Sequence, residues 1–331
     1  MEFTKSSENN IDKLVSCLPR ENICGLPFCQ YNGTWFLLYH IPGVISSQQL
    51  FQADESDIII AGLPKCGTTW LKALIFSIVN RNRYQPKESP LLSIHPQILV
   101  PSIEMDHFRD GLPQNIDQLS RPRIFSTHVP YAFLPNSIIT SNSRVVYACR
   151  NPLDALVSSW HFHNSMMKHN NISGQLELID EFFDKYCRGV QLYGPFWDNI
   201  LGYWKASVEK PESVLFMMYE DLKEDSVFQL KRLASFLGFP FSAEEEALGL
   251  IQEISTLCSI GNLQNLEVNR KGVYYSIVPL ASFFRKGEVG DHVNHLTPSM
   301  IETLNKLVEE KFAGSGLVFK SKRISTNSAS E

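Results

Sequence analysis

Apolar positions along the chain fall into short unbroken runs that alternate with stretches of helical period. DIIIAG (57–62) is apolar at consecutive positions, the pattern of a strand covered on both faces of a parallel sheet. After a glycine-bearing turn, TTWLKALIFSIVN (68–80) sets Trp70, Leu71, Leu74, Ile75, Ile78 and Val79 at helical spacing. Arg81 and Arg83 follow, where cations suit the end of a helix dipole. Three further runs read as strands that close on polar residues: PRIFSTH on His128, SRVVYACR on Arg150 and SVLFMMYED on Tyr219. Ligands of open parallel sheets bind beyond the carboxyl ends of the strands, so these residues are expected to gather near the first loop. Asn151-Pro152 and Thr297-Pro298 are helix-start signals, for DALVSSWHF and SMIETLNKLVEEKF.

Strands alternating with helices predict an α/β fold, with a P-loop-like central parallel sheet flanked by helices in a single domain over 51–318. Residues 1–50, which include YNGTWFLLYHIPGVI, are expected as an N-terminal segment packed on that domain, and 319–331 as a flexible tail. The polar stretch 262–294 reads as a long loop region of the kind that serves as a lid.

Composition narrows the partners. The 331 residues include 44% hydrophobic and 20% charged side chains, within the globular norm, and a formal charge of −5 argues against a broad nucleic-acid-binding face. Any anion site must be local. Seven scattered cysteines without C-x-x-C spacing suit a reduced, cytoplasmic protein. The N-terminus has no secretory pattern, and no apolar run reaches the ~18 residues of a membrane span.

The stretch GLPKCGTTW (62–70) stands where a nucleotide kinase carries G-x-x-x-x-G-K-[ST]. Gly62 and Gly67 keep the glycine spacing, but Thr68 replaces the lysine and Lys65 lies inside the loop. A strand, a glycine turn and a helix N-terminus form an anion pocket. Where a triphosphate enzyme needs an acid to help hold Mg²⁺, the strand VVYAC runs into Arg150, a fork that binds an anion directly. Arg285, Lys286 and Gly287 in FFRKGEVGD offer two more cations beside a close backbone approach. No metal is expected: His161 and His163 lie two apart on a helix, and Asp291, His292 and His295 lack a further ligand.

Together, LPKCGTTWLKAL, FSTHVP, VVYACRNPLDALVSSWHFH, LFMMYEDLKED, LCSIGNLQNLEVN and FFRKGEVGDHVNHLTPSM resemble the cytosolic sulfotransferases, in particular the plant members, from about 57 to 318. The resemblance implies the sulfotransferase fold and transfer of a sulfuryl group from 3′-phosphoadenosine-5′-phosphosulfate (PAPS) to a hydroxyl, with adenosine 3′,5′-bisphosphate as product. It implies that Lys65, Cys66, Gly67, Thr68 and Thr69 wrap the phosphosulfate and that Trp70 packs on adenine. Arg150, Ser158, Arg285, Lys286 and Gly287 would bind the 3′-phosphate, Tyr219 and Cys258 border the nucleoside, and His128 act as base. Leu63, Cys66, Ser126 and His292 depart from the family pattern, and no animal-type dimer motif is visible, so a monomer or weak homodimer is expected. Lys65, Arg150, Arg285 and Lys286 supply four positive charges for a donor of about −4. The acceptor is expected to be a small, largely apolar hydroxylated metabolite such as a flavonoid, steroid or hydroxyjasmonate, lined by Trp160, His161 or His163, and Tyr131. The alternatives are a Mg-dependent P-loop kinase and an inactive nucleotide-binding regulatory homologue.

Overall fold

A computed structural model describes residues 13–320 apart from 24, 115 and 172–175. At its centre lie four parallel strands, β4 (Ile58–Ala61), β5 (Ile124–Thr127), β6 (Arg144–Cys149) and β7 (Val214–Met218), in the order β5-β4-β6-β7. These are the four runs expected as strands. Alternation splits their side chains between two cores: Ile58 and Ile60 face one, with Val146 and Leu215, whereas Ile59 and Ala61 face the other, with Phe125, Tyr147 and Phe216. Helices Thr68–Asn80 and Ser226–Phe236 cover the first core, and Pro152–His169 and Phe196–Glu209 the second.

The register sets the site. Ala61 pairs with Thr127 on one side and Tyr147 on the other, so the loop after β4, His128 after β5 and Arg150 after β6 emerge at one edge. Because β4 has β5 on one flank and β6 on the other, that edge contains the switch point of the sheet, where a crevice opens.

Both helix-start signals act as expected. The Asn151 side chain accepts from Leu153 N–H at the start of Pro152–His169, and Thr297 accepts from Met300 N–H at the start of Pro298–Phe312. The N-terminal segment contains more than the polar and aromatic mixture suggested: β1 (Arg20–Ile23), β2 (Leu26–Tyr31) and β3 (Thr34–Leu37) form an antiparallel sheet, followed by the helix Ile41–Leu50. Asn32 and Gly33 join β2 to β3 with φ of 46° and 82°, the two left-handed residues of a tight hairpin turn. Backbone bonds from Trp35 N–H to Gly194 and from Tyr193 N–H to Trp35 tie this sheet to the domain.

The expectation of one long loop over 262–294 needs correction. Helices Ile260–Asn265 and Glu267–Arg270, a pair of two-residue strands at Val273–Tyr274 and Val278–Pro279, and further short turns occupy it. Its apolar positions are too few for a periodic signal, and neighbouring elements supply the burial instead. Residues 321–331 of the expected tail, and Cys24, lie outside the described residues. No described helix is long and apolar enough to cross a membrane.

Candidate active site

The loop after β4 is shaped by its glycines. Gly62 has φ of 150°, and a Cβ there would lie 2.6 Å from the Ala148 carbonyl oxygen; Gly67 has φ of 102°, and a Cβ would come within 2.9 Å of the Tyr219 ring. Both positions therefore exclude a side chain. Lys65 also adopts a positive φ, 70°. The helix Thr68–Asn80 starts at Gly67 without a side-chain cap, so its first amides are open to the crevice and favour an anion.

One cavity runs along this edge, lined at one end by Lys65, Gly67, Thr68, Thr69, Trp70, Arg150, Ser158, Tyr219, Arg285, Lys286 and Gly287. The structure thus gathers most of the sequence-predicted donor residues from five separate stretches. Arg150 is buried, stacks 4.5 Å from the Tyr219 ring centre and donates to the Glu288 carbonyl at 2.7 Å. Lys65 Nζ donates to the Ser282 carbonyl at 2.9 Å and lies 4.4 Å from the Phe162 ring centre. Burial, and then the charges of Arg150 and Arg285, push the Lys65 pKa down to about 7. Trp70 Nε1, Arg150 Nε and Arg285 Nε are buried without a hydrogen-bond partner among the described residues. An anion with several acceptor oxygens would satisfy such donors and restore the lysine charge.

The count of four positive charges overlooks two carboxylates. Asp291 binds Arg285 at 2.6 Å and Lys286 at 2.7 Å, and Asp154 lies 3.9 Å from Arg150. Both pairings are local in sequence, Asp154 four residues after Arg150 and Asp291 five and six after Lys286 and Arg285, and the charge count passed over them.

At the other end, His128 follows β5. Its Nδ1 lies 2.5 Å from the Gly62 carbonyl oxygen, which can only accept, so Nδ1 carries the proton and Nε2 the lone pair. Burial lowers its pKa to about 4, and the Lys72 charge adds to the effect, which keeps the ring neutral near pH 7. The His128 backbone N–H donates to Glu104 Oε1 at 2.9 Å. Glu104, Met105, Arg109, Leu192, Tyr193, Tyr274 and Tyr275 line this end with Phe162 and His163. Glu104 and Tyr193 were missed by the sequence reading, since they lie in stretches without regular apolar period.

Other expected members do not reach the cavity. The Cys258 side chain is fully buried, with its thiol 3.3 Å from Ser77 Oγ; Ile260 lines the cavity in its place. Cys66 turns into the core behind the loop, and its backbone N–H is taken by the Leu63 carbonyl. Trp160 Nε1 donates to the Glu177 carbonyl, His161 packs on His295, and Tyr131 packs on Tyr203, so of the expected acceptor residues His163 alone lines the cavity. The one-residue rotation explains this: on the Pro152–His169 helix, Phe162 and His163 share the inward side and His161 turns toward the 291–295 turn. Among the described residues no cluster of three or more His, Cys, Asp or Glu is placed to hold a metal.

A family model described as a sulfotransferase domain matches residues 55–316. The chain therefore belongs to the sulfotransferase family and is a sulfotransferase enzyme. Its relatives place it in the plant branch: it is 45% identical to Arabidopsis thaliana cytosolic sulfotransferase 15 over 93% of this chain and 89% of the relative. With cytosolic sulfotransferase 14 of the same plant it shares 46% identity over 85% of this chain and 82% of the relative. A crystal structure of an Arabidopsis thaliana protein assigned as a steroid sulphotransferase superposes with a TM-score of 0.72 at 35% identity, covering 93% of this chain and 94% of that one.

Proposed function

We propose that this enzyme transfers a sulfuryl group from PAPS to a hydroxyl of a small, largely apolar metabolite in the cytosol, with His128 as base. The observation that carries the donor assignment is the set of orphan buried donors on Trp70, Arg150 and Arg285, which line the cavity with Lys65, whose own charge is weakened by burial and then by Arg150 and Arg285. A donor bearing phosphates on both its 3′ and 5′ oxygens matches a cavity that Lys65, Arg150, Arg285 and Lys286 line together with Trp70 and Tyr219. As the acceptor oxygen bonds to sulfur, its proton passes to His128 Nε2. The bond from sulfur to the bridging oxygen breaks, and that oxygen keeps the electron pair on the departing bisphosphate. Lys65 and the amides at the start of Thr68–Asn80 stabilise the charge that builds there.

Adenosine 3′,5′-bisphosphate at 100-fold over its Kd is expected to stabilise the fold by about 2.7 kcal/mol, measured as a rise in Tm without added Mg²⁺. The Arg150→Ala protein should lose most of that rise at the same concentration. A Tm that does not respond to the bisphosphate without Mg²⁺ would overturn the assignment of these residues to the donor.

Among flavonoid, steroid and hydroxyjasmonate acceptors, Arg109 favours one that carries a carboxylate. It lies at the cavity rim, 4.6 Å from the Tyr275 ring centre, and has no carboxylate in ion-pair range among the described residues. Arg109→Gln is expected to raise KM for a hydroxy acid roughly tenfold and leave KM for its methyl ester unchanged; equal effects on both would remove Arg109 from acceptor selection.

A further inference from the structure

Lys72 is a lysine in an unusual place. It lies on the Thr68–Asn80 helix, one turn beyond the amides that face the cavity, and is 2% exposed. A buried ammonium has three protons to place and no lone pair. It donates to Oε1 of Gln97, which sits on the short helical turn Pro96–Leu99 and is itself buried. The Gln97 backbone N–H is fixed in turn on His95 Nδ1 at 3.0 Å.

This pairing decides which way the Gln97 amide faces. With Oε1 held by an ammonium, Nε2 must lie on the opposite side, and there it donates to Thr69 Oγ1 at 3.2 Å. A hydroxyl that accepts on one side has its own proton free for another partner. Threonine in a helix often returns that proton to the carbonyl four residues back, yet among the described residues Thr69 makes no such bond. Thr69 lines the cavity beside Lys65 and Thr68.

We propose that Lys72 and Gln97 are positioning residues: the buried ammonium fixes the amide, and the amide turns the Thr69 hydroxyl proton toward the phosphosulfate end of the donor. Lys72 lies behind the cavity wall and Gln97 borders the cavity next to Thr69; both act through Thr69. The chemistry is that of a preset donor, whose orientation is settled before the anion arrives, so that no rotation has to be frozen on binding. Glu104 and Asp106 raise the Lys72 pKa against the burial that lowers it, and the balance at about 8 leaves the group mostly protonated at neutral pH. The role rests on the donor assignment above, because it needs an anion at Thr69.

The test is a double-mutant cycle read by the Kd of adenosine 3′,5′-bisphosphate, with Gln97→Met and Thr69→Val singly and together. Gln97→Met adds no charge of its own but takes the amide from Lys72 as well as from Thr69, so the cycle is read below pH 7, where Lys72 stays protonated. Each single change is expected to weaken binding roughly tenfold, and the double variant should bind no worse than Thr69→Val alone. Thr69→Ser, which keeps the hydroxyl, should restore most of the affinity lost in Thr69→Val and the sensitivity to Gln97→Met. If the losses multiply in the double variant, or Gln97→Met binds like the parent, the proposal is overturned. Should Gln97→Met fail to fold, Gln97→Asn, whose shorter amide cannot span both partners, is read in the same cycle. A parent chain that does not bind the bisphosphate at all would overturn the donor assignment and this role with it, an outcome distinct from multiplying losses.

Discussion

Replacement of His128 by alanine is expected to lower kcat by roughly 10² to 10⁴ while the Kd of adenosine 3′,5′-bisphosphate changes little. The separation follows from placement. His128 lies at the acceptor end of the cavity, its Nδ1 spent on the Gly62 carbonyl and its Nε2 left as the only basic atom of a ring that burial holds neutral. The proposed donor contacts are with the loop, Arg150 and the 285–287 turn instead, which line the same cavity. Single-turnover sulfation of a hydroxylated acceptor, with the bisphosphate titrated separately, checks both halves. Turnover that survives the substitution would remove His128 as base; loss of nucleotide binding in step with turnover would mean that its bond to Gly62 supports the loop.

Lys65→Met should lower kcat about a hundredfold, the scale of one electrostatic contact made in the transition state. It should also abolish a proton linkage. The free-enzyme pKa of Lys65 is depressed to about 7 by burial, Arg150 and Arg285, so at pH 8 the amine is mostly neutral. A bound polyanion raises that pKa again, hence binding takes up close to one proton per site at pH 8 and weakens as the pH climbs above 7. Calorimetry in two buffers of different ionisation enthalpy measures the uptake directly. At pH 8 the phosphate groups are already ionised and contribute little. An uptake that persists in Lys65→Met would assign the linkage to another group.

Much of the frame was legible because it depends on local signals. Four consecutive-apolar runs became β4 to β7, and the Asn151-Pro152 and Thr297-Pro298 pairs start helices where expected. Gly62 and Gly67 were legible through spacing alone, since only glycine tolerates the approach of Ala148 and Tyr219. The harder parts are pairings across the fold. Glu104 under His128 and Lys72 against Gln97 each join stretches whose partnership no period or motif records. Cys258 went astray for the same reason: family order located its segment, while side-chain direction within the segment was set by packing on Ser77. The hairpin at Asn32-Gly33 was a readable turn signal that aromatic bulk around it obscured.

The crowding of Lys65, Arg150 and Arg285 reaches beyond catalysis. Lys65, buried beside Arg150 and Arg285, costs the empty protein free energy even with Asp154 and Asp291 nearby, and a polyanion settling among them offsets that cost. Survival of the polypeptide against unfolding and proteolysis is thereby coupled to the nucleotide pool.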